Sequence, residues 1–248
     1  MNLSPKIASP VVAATSISKV FGSGDTAVTA LNEVSIEFAR GSFSAIMGPS
    51  GSGKSTLMHL LAGLDTPTSG QIRISETDIT RLNDTQLTQL RRKKVGFVFQ
   101  AFNLVPTLTA EQNITLPALL ADEQVDRAWF DVVVSTLGLT ERLDHKPHEL
   151  SGGQQQRVAV ARALHGHPDV IFADEPTGNL DSRAGAEVLS LLRSSSREMQ
   201  QTIIMVTHDP IAASYAERVV LLADGKLSGE LHGADAPQIS TALAQLGA

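Results

Sequence analysis

Short apolar blocks closed by glycine, proline or polar residues recur along this chain and alternate with longer amphipathic stretches. The short blocks predict β-strands at residues 11–21, 30–38, 42–47, 71–75 and 95–100, and helical spacing predicts α-helices at 53–62 and 84–94. Gly63 offers a left-handed stop for the first helix, and Thr66-Pro67-Thr68-Ser69-Gly70 reads as a turn. From residue 101 to about 166 strand signals vanish, and helical patterns take over with Pro106, Pro117 and Pro147 as punctuation. Ser151 is placed to N-cap a helix running to about Leu164. Strands and helices then alternate again: strand 170–174, helix 184–199, strand 202–207, helix 210–216, and a hairpin of 219–223 with 226–230 across Asp224-Gly225. A last amphipathic helix follows at 237–246. Strands followed by helices predict an α/β fold around a largely parallel sheet, with the 101–166 stretch as an inserted helical subdomain. Residues 1–10 are expected to be a flexible tail and 11–248 a single domain.

Composition narrows this little but usefully. A hydrophobic share of 42% in 248 residues is ample for a buried core. No apolar run approaches the roughly 20 residues of a membrane-spanning helix, and residues 1–10 lack the apolar centre of a signal peptide. A net charge of −6 argues against a dedicated nucleic-acid binder. With no cysteine, disulfides and thiolate metal sites are excluded. A soluble, cytosolic protein is expected. The basic run Arg91-Arg92-Lys93-Lys94 ends a predicted helix, where it either complements the helix dipole or meets lipid headgroups or RNA.

Three stretches carry chemistry. Gly48-Pro49-Ser50-Gly51-Ser52-Gly53-Lys54-Ser55-Thr56 fits the phosphate-loop pattern between a strand and a helix. Glycines let successive N–H groups converge on one anion, and the following helix adds its own free N–H groups. Lys54 is placed to neutralise the β- and γ-phosphates, and the Ser55 hydroxyl to ligate Mg²⁺. Val170-Ile171-Phe172-Ala173-Asp174-Glu175 is an apolar strand that delivers two carboxylates to its C-terminal end, where such sheets bind ligands. Asp174 suits Mg²⁺, and Glu175 suits polarising the attacking water. Leu150-Ser151-Gly152-Gly153-Gln154 places a serine and two glycines at a second helix start. One phosphate loop with two anion-facing helix starts makes sense if the second start reads the γ-phosphate held by another copy.

Together these motifs resemble the ATP-binding subunit of an ATP-binding-cassette (ABC) transporter over about residues 11–230. The resemblance implies a P-loop NTPase core with a mainly parallel sheet, an N-terminal antiparallel β part and the inserted helical subdomain. It implies ATP and Mg²⁺ as cofactors. Gln100 resembles the glutamine that meets Mg²⁺ or the attacking water and senses the membrane partner through the flexible loop after it. Asn179-Leu180-Asp181 resembles the loop that puts Asp181 at the dimer contact, and His208 the histidine that touches the γ-phosphate. Phe21 stands where the family places an adenine-stacking aromatic, usually tyrosine; core packing is the other reading of Phe21, and a satisfied core histidine that of His208.

The stretches 63–70 and 102–109 resemble the lipoprotein-release and macrolide-export group, whose ATPases drive permeases with large extracytoplasmic domains by mechanotransmission. The implied protein is a head-to-tail homodimer, bound at the inner face of the membrane through a permease and without a nucleic-acid partner. A regulatory ABC module acting on a cell-envelope or division partner is a rival within the same fold. A ribosome- or DNA-acting ABC ATPase lacks its second cassette or coiled coil here, and a small-molecule kinase would leave Leu150–Gln154 without a purpose.

Overall fold

The computed structural model describes residues 10–246. Its strands are β1 (Val12–Phe21), β2 (Val28–Phe38), β3 (Phe43–Met47), β4 (Ser69–Ile74), β5 (Thr77–Asp78), β6 (Val95–Phe99), β7 (Val170–Asp174), β8 (Thr202–Val206), β9 (Arg218–Ala223) and β10 (Lys226–His232). Its α-helices are α1 (Lys54–Leu61), α2 (Asp84–Lys94), α3 (Ala110–Leu120), α4 (Arg127–Thr136), α5 (Gly152–His165), α6 (Ser182–Glu198), α7 (Pro210–Ala213) and α8 (Ala236–Leu246). Of the tail expected at residues 1–10, residues 1–9 lie outside the described residues.

Two sheets form. The first is antiparallel in the order β2-β1-β4-β5, and the second runs β10-β9-β3-β8-β7-β6. In the second sheet β9, β3, β8, β7 and β6 are parallel, and only β10 is antiparallel, joined to β9 by the expected hairpin. The period-2 alternation of a strand explains how one sheet serves two cores. In β3, Phe43, Ala45 and Met47 face the helical side while Ile46 faces the antiparallel sheet and α1. In β7 and β8 likewise, Ile171, Ala173, Ile203 and Met205 point one way, and Val170, Phe172, Ile204 and Val206 the other. Each of these valine, isoleucine, methionine and phenylalanine side chains contributes about 1.5–3 kcal/mol by leaving water. At the end of the sheet away from the phosphate loop, Asp169 draws in Lys94 (2.7 Å), Arg40 (3.2 Å) and the Ser75 hydroxyl (2.7 Å), tying three segments together.

Helix boundaries follow local chemistry. Asn83 with Gln86, Thr109 with Gln112, and Ser151 with Gln154 each form reciprocal capping boxes at the starts of α2, α3 and α5. Pro117 does not punctuate as expected: it lies inside α3. The proline gives up only its own N–H bond to the preceding turn, and the turn after it closes with Ala121 N–H donating to the Pro117 and Ala118 carbonyls (both 3.1 Å). The helix expected at 210–216 is one turn, Pro210–Ala213.

Candidate nucleotide site

β3 is buried along its length and ends at Gly48, directly under the Leu222 carbonyl. A Cβ there would lie 1.9 Å from that oxygen, so only glycine fits. The loop is fixed by Ser52 N–H donating to the Pro49 carbonyl (3.2 Å) and Gly225 N–H donating to the Ser52 carbonyl (3.1 Å). Gly53 opens α1 without a side-chain cap, which leaves the first-turn N–H groups available to an anion. Lys54 Nζ folds back and donates to the carbonyls of Gly48 (2.9 Å) and Pro49 (2.7 Å). Partial burial lowers its pKa, and the Glu175 carboxylate opposes that shift. Ser50, Gly51 and Ser55 are exposed along the rim of this loop, and Thr56 is half-buried behind it.

β8 lies between β3 and β7, so the end of β7 faces the loop across one strand. Asp174 is half-buried there; burial and the adjacent Glu175 charge raise its pKa, and His59 pulls the other way. Glu175 follows in a left-handed conformation (φ 45°), a rare state for a non-glycine residue and one that concentrates at functional sites. Its carboxylate is held from the end of β8. His208 Nδ1 lies 2.7 Å from Oε1, His208 N–H donates to the same oxygen (3.0 Å), and the Thr207 hydroxyl donates to Oε2 (3.2 Å). Thr207 is 1% exposed and also accepts from Asp209 N–H (3.1 Å). His208 is exposed and does not pack in the core.

Gln100 sits just past β6. Its Nε2 donates to Asn179 Oδ1 (3.2 Å), and Asn179 Nδ2 donates to the Gln100 carbonyl (3.0 Å). The loop after it is hydrogen-bonded at several points. Phe102 and Asn103 are both left-handed, and the Arg162 guanidinium of α5 donates to their carbonyls (2.9 and 2.6 Å). Asn113, fully buried, accepts from Val105 N–H (2.8 Å) and donates to the carbonyls of Val105, Leu108 and Thr109. Gln156 of α5, also fully buried, donates to the carbonyls of Phe99 (3.3 Å) and Pro176 (2.6 Å), so α5 is bonded to both strand exits.

The structure brings the phosphate loop, Asp174, Glu175 and His208 together; it does not add Ser151–Gln154 to them. Ser151 Oγ accepts from Gln154 N–H (3.3 Å), and Gly152 and Gly153 lie against Leu180 and Ala184 instead. Among the described residues no hydrogen bond joins this helix start to the phosphate loop. Asp181 caps α6 by accepting from Arg183 and Ala184 N–H (3.0 and 2.9 Å). Phe21, at the end of β1, is 45% exposed, so it is not a core residue. Thr207, Gln156, Arg162 and Asn113 escaped the sequence reading. Their signal was polarity within apolar patterns, which identifies a buried hydrogen bond but not its partner.

A phosphate loop between a parallel strand and a helix, with two carboxylates ending the strand next but one, defines a P-loop nucleoside triphosphatase. The chain belongs to the ABC transporter family, whose pattern matches residues 31–178, and it is an ATPase. It is 47% identical over 232 residues to the macrolide export ATP-binding/permease protein MacB of Marinobacter nauticus, which covers 92% of this chain. The chain spans only 35% of that relative's length. It is 42% identical to the bacitracin export ATP-binding protein BceA of Halalkalibacterium halodurans, across 91% of this chain and 90% of BceA. Among solved structures it is similar to MJ0796 of Methanocaldococcus jannaschii, a dimeric ATP-binding cassette in a post-hydrolysis state bound to ADP and Pi. That match has a TM-score of 0.79 at 40% identity, covering 90% of this chain and 99% of the other. Among the described residues no helix is long and apolar enough to cross a membrane.

Proposed function

We propose that this chain is the ATP-hydrolysing subunit of an exporter-type ABC system, working as a head-to-tail pair that encloses two ATP molecules and drives a membrane permease. The observation that carries this reading is the separation, within one chain, of the Ser151–Gln154 helix start from the phosphate loop. A second copy in two-fold symmetry supplies the missing half to each site. The dimeric form of MJ0796 supports it.

In this reading Phe21 stacks on adenine, and the N–H groups of Gly48–Gly53 and the start of α1 hold the phosphates. Lys54 neutralises the β- and γ-phosphates, with Ser50, Ser52 and Thr56 lining the cradle. Ser151, Gly152, Gly153 and Gln154 of the second copy face the γ-phosphate, and Asp181 lies at the contact between copies. Ser55, Asp174 and Gln100 hold Mg²⁺. Among the described residues no cluster of three or more His, Asp or Glu side chains is arranged as a metal cage. A hard ion of this kind takes one or two carboxylates and completes its shell with neutral oxygens, phosphate and water. When bound, Mg²⁺ neutralises charge developing on the phosphates. Glu175 takes the proton of the attacking water. Oε1 accepts one bond from the His208 ring and one from its backbone N–H, so turning the ring toward a γ-phosphate releases the first and stabilises the anion in one movement.

Thr207 sets the orientation of Glu175. Thr207→Val keeps the shape of this buried side chain but removes the hydroxyl, so kcat is expected to fall about tenfold with ATP affinity unchanged. Thr207→Ser should restore most of the rate. Steady-state ATPase assays beside nucleotide titration test this, and unchanged turnover in Thr207→Val would refute it.

The membrane subunit docks beside α2 and α3. Leu119 and Leu120 are 62% and 64% exposed, next to a groove lined by Leu82, Leu90, Arg92, Lys93 and Glu123. Apolar side chains within a basic rim suit an amphipathic, acidic cytoplasmic segment, and a chain held there sits peripherally on the inner face of the membrane. Likeness of residues 63–70 and 102–109 to the lipoprotein-release and macrolide-export group supports a mechanotransmission partner. Capture of tagged Glu175→Gln protein with ATP from detergent-solubilised native membranes is expected to recover a permease with few spans and a large extracytoplasmic domain. A many-span permease with a binding protein would overturn the subgroup, and capture without any membrane chain would remove the transporter role.

A further inference from the structure

The turn between α1 and β4 does more than reverse the chain. Gly63 is left-handed, and Leu64 and Asp65 N–H both return to the His59 carbonyl (2.8 and 3.3 Å), so the turn is anchored to the end of the phosphate-loop helix. Its other side is sewn to β1. Thr68 N–H donates to the Ser18 carbonyl (2.8 Å), and Val20 N–H donates to Thr68 Oγ1 (3.0 Å). Gly70 passes so close that a Cβ would lie 2.4 Å from the Ser16 carbonyl oxygen. The ladders on both sides of β1 shift register here, so the turn substitutes for regular pairing.

At the centre of this seam is Lys19, only 13% exposed. Its ammonium donates to Asp65 Oδ1 (2.7 Å) and to the Thr66 carbonyl (2.8 Å), and it lies 5.0 Å from the centroid of the Phe21 ring. Asp65 is itself oriented by Thr66 N–H, which donates to the same oxygen at 2.7 Å. A lysine this buried carries a desolvation cost that an apolar residue would not, and what it supplies in return is direction. The two oxygens fix the ammonium, and the ammonium fixes the ring by cation–π attraction. Phe21 is the last residue of β1, half exposed before a glycine turn, and without that contact its ring is free to reorient.

We propose that Lys19 and Asp65 are positioning residues for nucleotide binding: the 63–70 turn holds the Lys19 ammonium against the Phe21 ring and so presets that ring for a purine base. The proposal rests on the reading of Phe21 as the adenine-stacking residue. It also joins the two ends of one ligand, because the same turn caps the helix whose start faces the phosphates. A ring already oriented loses less freedom on stacking, so the brace acts on base affinity and leaves phosphate affinity alone.

Calorimetric titration with ADP, and separately with inorganic tripolyphosphate, tests this on the full chain. Lys19→Met and Asp65→Asn are each expected to weaken ADP about three- to tenfold while tripolyphosphate binding is unchanged. Lys19→Arg, which keeps the cation and the pair, is expected to stay within about twofold of the wild type for ADP. In a Phe21→Ala background Lys19→Met should have no further effect. Wild-type ADP affinity in Lys19→Met beside a weakened Phe21→Ala would overturn the brace alone. Unchanged affinity in Phe21→Ala would overturn the stacking reading and the brace with it. Equal loss of ADP and tripolyphosphate in both Lys19→Met and Asp65→Asn would show damage to the fold and overturn the positioning role.

Discussion

Glu175→Gln is expected to lower ATP turnover by about three orders of magnitude while nucleotide affinity stays within about twofold. The amide keeps the size of the carboxylate, and its oxygen can still accept from Thr207 or from His208 N–H, so the left-handed backbone at 175 keeps its supports. What it loses is the ability to take a proton from water, and no second carboxylate can take over easily. Asp174 is the neighbour in sequence, but it sits half-buried at the end of β7, where it is committed to the ion-holding role proposed for it. With hydrolysis blocked and binding intact, the ATP-closed pair should persist, so light scattering should report a dimer in MgATP and a monomer in ADP. Single-turnover hydrolysis and scattering together decide the matter. Turnover within tenfold of the wild type would remove Glu175 as the base. Slow turnover without a dimer would leave the base and remove the two-copy site.

The architecture was legible because its signals are local. The short apolar blocks of β3, β7 and β8, the left-handed stop at Gly63 and the Ser151 cap are each decided within a few residues. The phosphate loop was legible for the same reason, since its geometry is set by a strand exit, glycines and a helix start. Pro117 was misread because a single breaker was weighed without the capping box at Thr109 that starts the helix and the turn that closes behind it. Braces between distant segments were not legible at all. Arg162 meets the Phe102 and Asn103 carbonyls across some sixty positions, and Lys19 meets Asp65 across almost as many as separate β1 from β4. Neither pairing leaves a periodicity in the chain. Nothing near the loop after Gln100 in sequence announces its bonds to the buried Asn113 and to Arg162.

Lys54→Ala is expected to raise the Kd for MgATP about a hundredfold or more, the cost of removing one partner of a desolvated charge pair. The apo protein should not become less stable by a matching amount. Lys54 has no carboxylate within ion-pair distance among the described residues; it donates only to the Gly48 and Pro49 carbonyls. Partial burial lowers its pKa. A lysine whose pKa is lower folded than unfolded binds fewer protons in the native state, so below that folded pKa its charge subtracts from stability. The penalty is full below the lowered value and fades as pH rises from it toward the ordinary one. Removing the ammonium relieves it while losing two hydrogen bonds to loop carbonyls, and the effects oppose each other. The apo melting temperature is expected to move by no more than about 2 °C. The rise in melting temperature on adding ATP should disappear, because that gain comes only from binding the native state. Calorimetric titration and thermal melts with and without ATP check both halves. Wild-type affinity in Lys54→Ala would remove the phosphate-loop assignment. A large loss of apo stability would show instead that the lysine is a structural clamp on the loop, with its charge serving the fold before the ligand.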